Sequence, residues 1–373
     1  MKFSNVYKAL FLFFIIFGLN KAYTQTSNTK APKNVILLIG DGTGLSQISS
    51  AYYFKDSEPN YSRFKHIGLI KTSSSREDIT DSAAGATAFA SGIKTYNGAI
   101  GVADDSTEVK TIVEIISRKK INTGVISTSS IVHATPASFY AHALYRGYYD
   151  DIAVDLVSSD IDFAAGGGKM FFNQREDGKD LFKELKSKKF ELDTIKLGTI
   201  EEISNHKKMA YIFGNEHLRP AAKGRGDYLP RATELGLQFL SKDEKNPNFF
   251  LMVEGSQVDW GGHSNNADYL ISELIDFDDA IGKALDFAKK DGNTLVIVTA
   301  DHETGGFTLS STIKETEDGE KYSDYDEITG TFSTGGHSAT LIPVFAYGPG
   351  AEEFIGVYEN TEIFHKIMKV TGW

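Results

Sequence analysis

Three apolar runs of this chain end in the same way. "NVILLIG" (34–40) stops at Asp41, "NFFLMV" (248–253) stops at Glu254, and "NTLVIVTA" (293–300) stops at Asp301 and His302. An unbroken run of this kind is not the alternating pattern of a half-exposed strand. It suits a strand buried on both faces. Helical patterns separate the runs: one from Leu45, one in "VKTIVEIISRKK" ahead of "TGVIST" (123–128), and one in "ADYLISELIDFDDAIGKALDFAKK" (267–290). In the last of these, apolar residues recur every three to four positions, and "IPVFAYGPG" closes the series. Continuous strands alternating with amphipathic helices specify an α/β three-layer sandwich, a central mostly parallel sheet covered by helices on both faces. Chemistry in such sheets gathers beyond the carboxyl ends of the strands. Asp41, Glu254 and the Asp301-His302 pair are therefore expected to meet on one edge.

The N-terminus reads as a targeting segment. Lys2 and Lys8 precede the apolar run "ALFLFFIIFGL", and small residues follow around Ala22 to Thr24. This is the layout of a secretory signal peptide. The eleven apolar residues fall short of the roughly 20 that a membrane span needs, so no membrane anchor is expected. Residues 1–22 are assigned to the signal peptide, with cleavage between 22 and 25, and the protein is expected to be periplasmic or secreted. Cleavage after Ala22 removes three lysines and no acid, moving the net charge from −11 to −14. Such a surface repels nucleic-acid phosphates and disfavours a general DNA or RNA binder. It also makes a dianionic substrate puzzling unless cations sit inside the site. The chain has no cysteine, so thiolate zinc sites and cysteine nucleophiles are excluded, and any metal must be held by histidine, carboxylate and hydroxyl groups. Residues 23–373 are expected to form a single catalytic domain, with peripheral insertions around 166–230 and around 312–330, the latter polar and acidic.

Glycines 40, 42 and 44 raise a nucleotide-binding alternative. They fall as G-x-G-x-G, with Leu45 where a dinucleotide turn needs its last glycine, and no Gly-Lys-Ser/Thr follows to make a P-loop. In "DITDSAAGATAFASG" (78–92), Asp81 and Ser82 stand at the head of an alanine-rich helix. The pair serves equally as a plain helix cap or as a serine placed where backbone amides and the helix dipole favour negative charge. A serine nucleophile needs activation, and no G-x-S-x-G elbow points to a histidine-based triad. Metal is the better activator. "VEGSQVDWGGH" offers Glu254, Asp259 and His263, "TADHETGG" offers Asp301 and His302, and "STGGHSAT" offers His337. Nitrogen with carboxylate oxygen suits zinc, and carboxylate, hydroxyl and water suit magnesium. Histidines 66, 142, 206, 217 and 365 lack such neighbours and read as structural.

Six motifs in order, "GDGTG", "DSAAGATAFASG", "HATPASFYAHALYRG", "VEGSQVDWGGH", "TADHETGGFTL" and "STGGHSATLIPVFAYGPG", make the chain resemble an alkaline phosphatase of the compact, cold-active bacterial type. The resemblance implies a phosphomonoesterase with two zinc ions and one magnesium per subunit, acting on small-molecule phosphomonoesters as a homodimer. It implies that Ser82 is the nucleophile that becomes phosphorylated and that Arg146 grips phosphate. One zinc would be held by Asp259, His263 and His337, the other by Asp41, Asp301 and His302. Magnesium would sit with Asp41, Thr135 and Glu254. Two positions depart from familiar bacterial members: His133 replaces an aspartate near the magnesium, and Trp260 replaces a lysine or histidine beside Asp259. The first is expected to weaken magnesium, the second to remove one contact to phosphate and speed its release. The rivals are a phosphodiesterase, sulfatase or phosphomutase of the same fold, or a catalytically dead phosphate-binding protein.

Overall fold

The computed structural model describes residues 31–243, 245 and 247–373. The proposed signal peptide lies outside the described residues.

Ten strands form one sheet, and their order follows from the apolar runs. β1 (Asn34–Gly40) lies at the centre, fully buried, between β7 (Phe249–Gly255) and β8 (Thr294–Thr299), parallel to both. Beyond β7 come β3 (Asn122–Ser130), β4 (Phe163–Gly167), β6 (Lys208–Phe213) and β5 (Phe190–Asp193), all parallel. Beyond β8 come β13 (Ile342–Tyr347), β2 (His66–Lys71) and β14 (Gly356–Glu359). Only β13 runs against its neighbours. The stretch 166–230, read from sequence as an excursion, supplies β5 and β6 and so extends the sheet at one edge.

Alternate side chains of β1 face opposite layers. Val35, Leu37 and Ile39 join a core under α2 (Ser82–Ser91) and α7 (Glu362–Thr371), while Ile36 and Leu38 join a core under α1 (Leu45–Phe54), α4 (Tyr228–Leu240) and α6 (Ala267–Asp291). On the first face also lies α3 (Tyr149–Ser158), and α5 (Gln257–His263) follows directly on β7. This is the three-layer arrangement that the sequence pattern specifies. The acidic insertion is a two-stranded antiparallel hairpin of β10 (Thr308–Glu315) and β11 (Lys321–Thr331). A second small ladder pairs β9 (Glu303–Thr304) with β12 (His337–Ser338). Among the described residues no helix is long and apolar enough to cross a membrane.

Candidate metal centre and nucleophile

Register explains why the acids converge. Gly40 of β1 pairs with Gly255 of β7, and Ile39 pairs with both Glu254 and Thr299. Asp41, Glu254 and Asp301 therefore leave three adjacent strands at the same level. β3 ends beside them, and the helical turn Ala134–Ala137 carries His133 and Thr135 inward. Asp41, Thr135, Glu254, Asp301 and His302 are fully buried, and Ser82 is 2% exposed.

Three donor sets result: Asp259, His263 and His337; Asp41, Asp301 and His302; and Asp41, His133 and Glu254. The first is defined by its hydrogen bonds. His263 Nδ1 faces Gly335 O and His337 Nδ1 faces Thr80 O, both at 2.8 Å. A carbonyl only accepts, so both histidines carry the proton on Nδ1 and their Nε2 lone pairs face each other at 3.2 Å. Asp259 Oδ1 lies 3.4 and 3.7 Å from those two nitrogens. Donors about 2.0 Å from a tetrahedral zinc stand about 3.3 Å apart, so the three fit one face of such a site. His302 repeats the pattern. Thr304 Oγ1 donates to Asp259 Oδ1 at 2.5 Å and therefore accepts from His302 Nδ1 at 3.2 Å. His302 Nε2 is left facing Asp41 Oδ1 at 3.5 Å, Asp301 Oδ2 at 3.4 Å and Ser82 Oγ at 3.3 Å.

Unpaired atoms make the same case. Both oxygens of Asp41, Oδ2 of Asp301, Oε1 of Glu254, Oγ1 of Thr135 and Nδ1 of His133 are buried without a hydrogen-bond partner. They are half of the twelve such side-chain atoms among the described residues. Native interiors leave few polar atoms unpaired, so a cluster of acceptors of this kind calls for cations. Burial, reinforced by Asp301, Asp259 and Glu254, holds the Asp41 carboxyl well above the usual carboxylate range. Burial likewise pushes Glu254 up to about 7 and raises Asp301. It pushes His133 and His302 well below the ordinary histidine value. Neutral imidazoles beside crowded carboxylates are ready ligands for positive metal.

The nucleophile candidate sits beside the second set. Asp81 caps α2, its Oδ1 accepting from Ala84 N at 3.0 Å. Its Oδ2 accepts from Arg146 Nη1 at 2.9 Å, which anchors the guanidinium beside Ser82. Every site residue expected from sequence thus lies in or against one centre, with His133 inside a donor set and Trp260 against the His133 ring at 6.1 Å between centroids. Sequence reasoning missed Thr304, the Ser129 and Ser256 hydroxyls that donate to Glu254 Oε2, and His217, whose ring meets Trp260 at 4.7 Å. Thr304 stood within a quoted motif. His217, in an irregular stretch, carried no signal.

The family model for alkaline phosphatase matches residues 32–324. The chain is 34% identical to Alkaline phosphatase 3 of Bacillus subtilis (strain 168), over 92% of this chain and 90% of the relative. It is 30% identical to the alkaline phosphatase of Escherichia coli (strain K12), over 94% and 88%. Among solved structures, alkaline phosphatase from the Antarctic bacterium TAB5 superposes with a TM-score of 0.90 at 65% identity, over 93% of this chain and 99% of that one. A His-to-Asp mutant of the TAB5 enzyme, with Mg bound in its M3 site, gives a TM-score of 0.91 at 66% identity with the same coverage.

Proposed function

This chain belongs to the alkaline phosphatase family and is a metal-dependent phosphomonoesterase, and on that premise we propose that Ser82 is its nucleophile and that three cations share the centre around it. Asp259, His263 and His337 would hold one zinc, and Asp41, Asp301 and His302 a second. Asp41, Thr135 and Glu254 would hold magnesium, with His133 as an added nitrogen donor that loosens its grip. Bound there, the ions supply the positive charge that a phosphate dianion needs and ease ionisation of a hydroxyl or water.

The residues divide the remaining work. Arg146, fixed by Asp81, presents a two-pronged donor to phosphate oxygens. Ser82 Oγ, at the N-terminus of α2, attacks phosphorus. The new O–P bond forms as the bond to the alcohol breaks, and water then releases inorganic phosphate and restores the serine. Trp260 brings no charge to the phosphate, so Arg146 carries the protein's share of that grip. We further propose export through residues 1–22 and assembly as a homodimer, on the N-terminal pattern and the family resemblance respectively. N-terminal sequencing of secreted protein and light scattering would test these two assignments; an intact leader or a monomer would refute them.

The observation that carries the proposal is the group of six buried, unpartnered donor atoms beside Ser82. Hydrolysis of p-nitrophenyl phosphate at alkaline pH should be lost on chelation, return with zinc plus magnesium, and be abolished in Ser82→Ala. The restoring titration should need less magnesium in His133→Asp. Undiminished turnover in Ser82→Ala would overturn the assignment.

A further inference from the structure

β6 runs parallel to β4 and ends at Phe213, level with Gly167 of β4 and with Ser130 at the end of β3. The chain therefore leaves β6 at the carboxyl edge of the sheet, where the donor sets lie, before it enters α4. Residues 214–218 fold back across that edge. Gly167 permits the crossing, since a Cβ there would sit 2.9 Å from His217 Cα. Just beyond, Leu218 O accepts from Gln257 Nε2 at 3.0 Å, on the helix that carries Asp259. Ala221 N donates to Glu273 Oε1 at 2.7 Å, and Arg225 pairs with Glu273 at 2.5 Å and Asp276 at 2.7 Å in buried contacts on α6. The segment is thus pinned on both sides of His217.

What the segment delivers is one imidazole. His217 Nδ1 accepts from Ser130 N at 3.0 Å. A backbone amide only donates, so Nδ1 keeps its lone pair and the ring proton sits on Nε2. Anchored in this way, the ring stands against Trp260 at 4.7 Å between centroids and 64° between planes. It stands against His133 at 5.7 Å and 87°, and His133 meets Trp260 at 6.1 Å and 81°. All three pairs are edge-to-face, the arrangement that aromatic rings prefer, and each ring limits the rotation of the other two. Among the described residues no hydrogen bond directs the His133 ring, whose Nδ1 is buried and unpaired. Packing against His217 and Trp260 is therefore what turns it toward Asp41 and Glu254. The Ser130 bond steadies the same region, because Ser130 O accepts from His133 N at 2.9 Å and Ser129 Oγ donates to Glu254 Oε2 at 3.3 Å.

We propose that His217 is a positioning residue of the third donor set: with Trp260 it holds the His133 ring toward Asp41 and Glu254, and so decides how strongly that set takes a nitrogen-seeking ion. The proposal rests on the assignment of the third set as a metal site. Zinc uses imidazole nitrogen, whereas magnesium is held by oxygens. Asp41, Thr135 and Glu254 offer those oxygens whichever way His133 turns. Loss of the His217 ring therefore weakens zinc in this set and spares magnesium.

Trp260 serves as its own probe, because the chain's other tryptophan, Trp373, packs against the core away from the centre. In a Trp373→Phe background with both zinc sets filled, further zinc or magnesium is titrated while Trp260 emission and its quenching by acrylamide are followed. His217→Asn keeps an acceptor for Ser130 N and deletes the ring. It should open Trp260 to acrylamide and weaken the additional zinc about tenfold, the scale set by loss of a ligand's outer partner, with magnesium affinity undiminished. His217→Phe restores a ring and should bring both readings back toward wild type. Unchanged quenching and zinc affinity in His217→Asn would overturn the proposal, and so would equal weakening of both ions, the mark of general damage. A phenylalanine variant no better than the asparagine one would overturn it as well, by showing that the ring is not what counts. Glu254→Ala in the same titration tests the premise separately: if both ions bind there as in wild type, the third set is no metal site whatever the His217 variants do.

Discussion

At the scale of single residues, Thr304 holds the two histidine-bearing donor sets together. Its hydroxyl donates to Asp259 of the first set and accepts from His302 of the second, and it is fully buried. Each bond fixes something the metal needs: the direction of a carboxylate and the tautomer of an imidazole. Outer partners of this kind are worth roughly 10–100-fold in metal affinity. Thr304→Val keeps the shape and removes the hydroxyl. It should lower zinc affinity, measured by chelator competition, by about that factor, while Thr304→Ser should recover most of it. Zinc affinities equal to wild type in the valine variant would show that the bonds are incidental. No spacing in the sequence marks this residue, since a threonine two positions beyond a histidine is common and only the folded register brings Asp259 to it.

At the scale of elements, the turn from β1 into α1 shows what its glycines do. Gly42 has φ +69, and a Cβ there would sit 2.7 Å from Asp259 Cα. The turn must pass this close so that Gly42 N can donate to Asp301 Oδ1 at 3.3 Å and Gly42 O can accept from Thr304 N at 3.1 Å. The glycines thus clear space around Asp41. Gly42→Ala should cost roughly 1–2 kcal/mol for the left-handed backbone alone and should displace Asp259 as well. Denaturant unfolding would read the first effect and zinc competition the second, and unchanged zinc binding would refute the displacement. The strand ends that carry Asp41, Glu254 and Asp301 were legible because a doubly buried strand is a long apolar run with an abrupt polar stop. The pairing that brings His337 to His302 was not: β9 and β12 are two residues each, too short to show any period. Nor was the reversed direction of β13 visible, because an apolar run reads alike whichever way it points. β5 escaped notice because an edge strand of four residues, partly exposed, resembles loop, and β6 because six residues in an irregular stretch, though buried between β4 and β5, make too short an apolar run to stand out.

At the scale of the whole molecule, the centre ties folding to pH through its bound charge. A fold with no disulfide buries Asp41, Glu254 and Asp301 together at the middle of its sheet. Without cations, Glu254 is pushed up to about 7 by burial, above its unfolded value of about 4.3. The folded chain then keeps that proton after the unfolded chain has lost it. Stability from this group is present at low pH and falls away as pH rises from about 4.5 to about 7. Asp41 acts with the same sign. His133 and His302, pushed down by burial, act with the opposite sign, but their effect ends near pH 6.5, where unfolded histidine is itself neutral. Bound metal requires the carboxylates ionised, so its stabilisation grows as pH rises. Thermal melts with and without chelator should therefore diverge more at pH 8 than at pH 5. In metal-free protein, Glu254→Gln should remove a pH-dependent loss on the order of 3 kcal/mol across that interval. A chelator effect of the same size at both pH values would mean that the cluster is not where this fold and its metals are coupled.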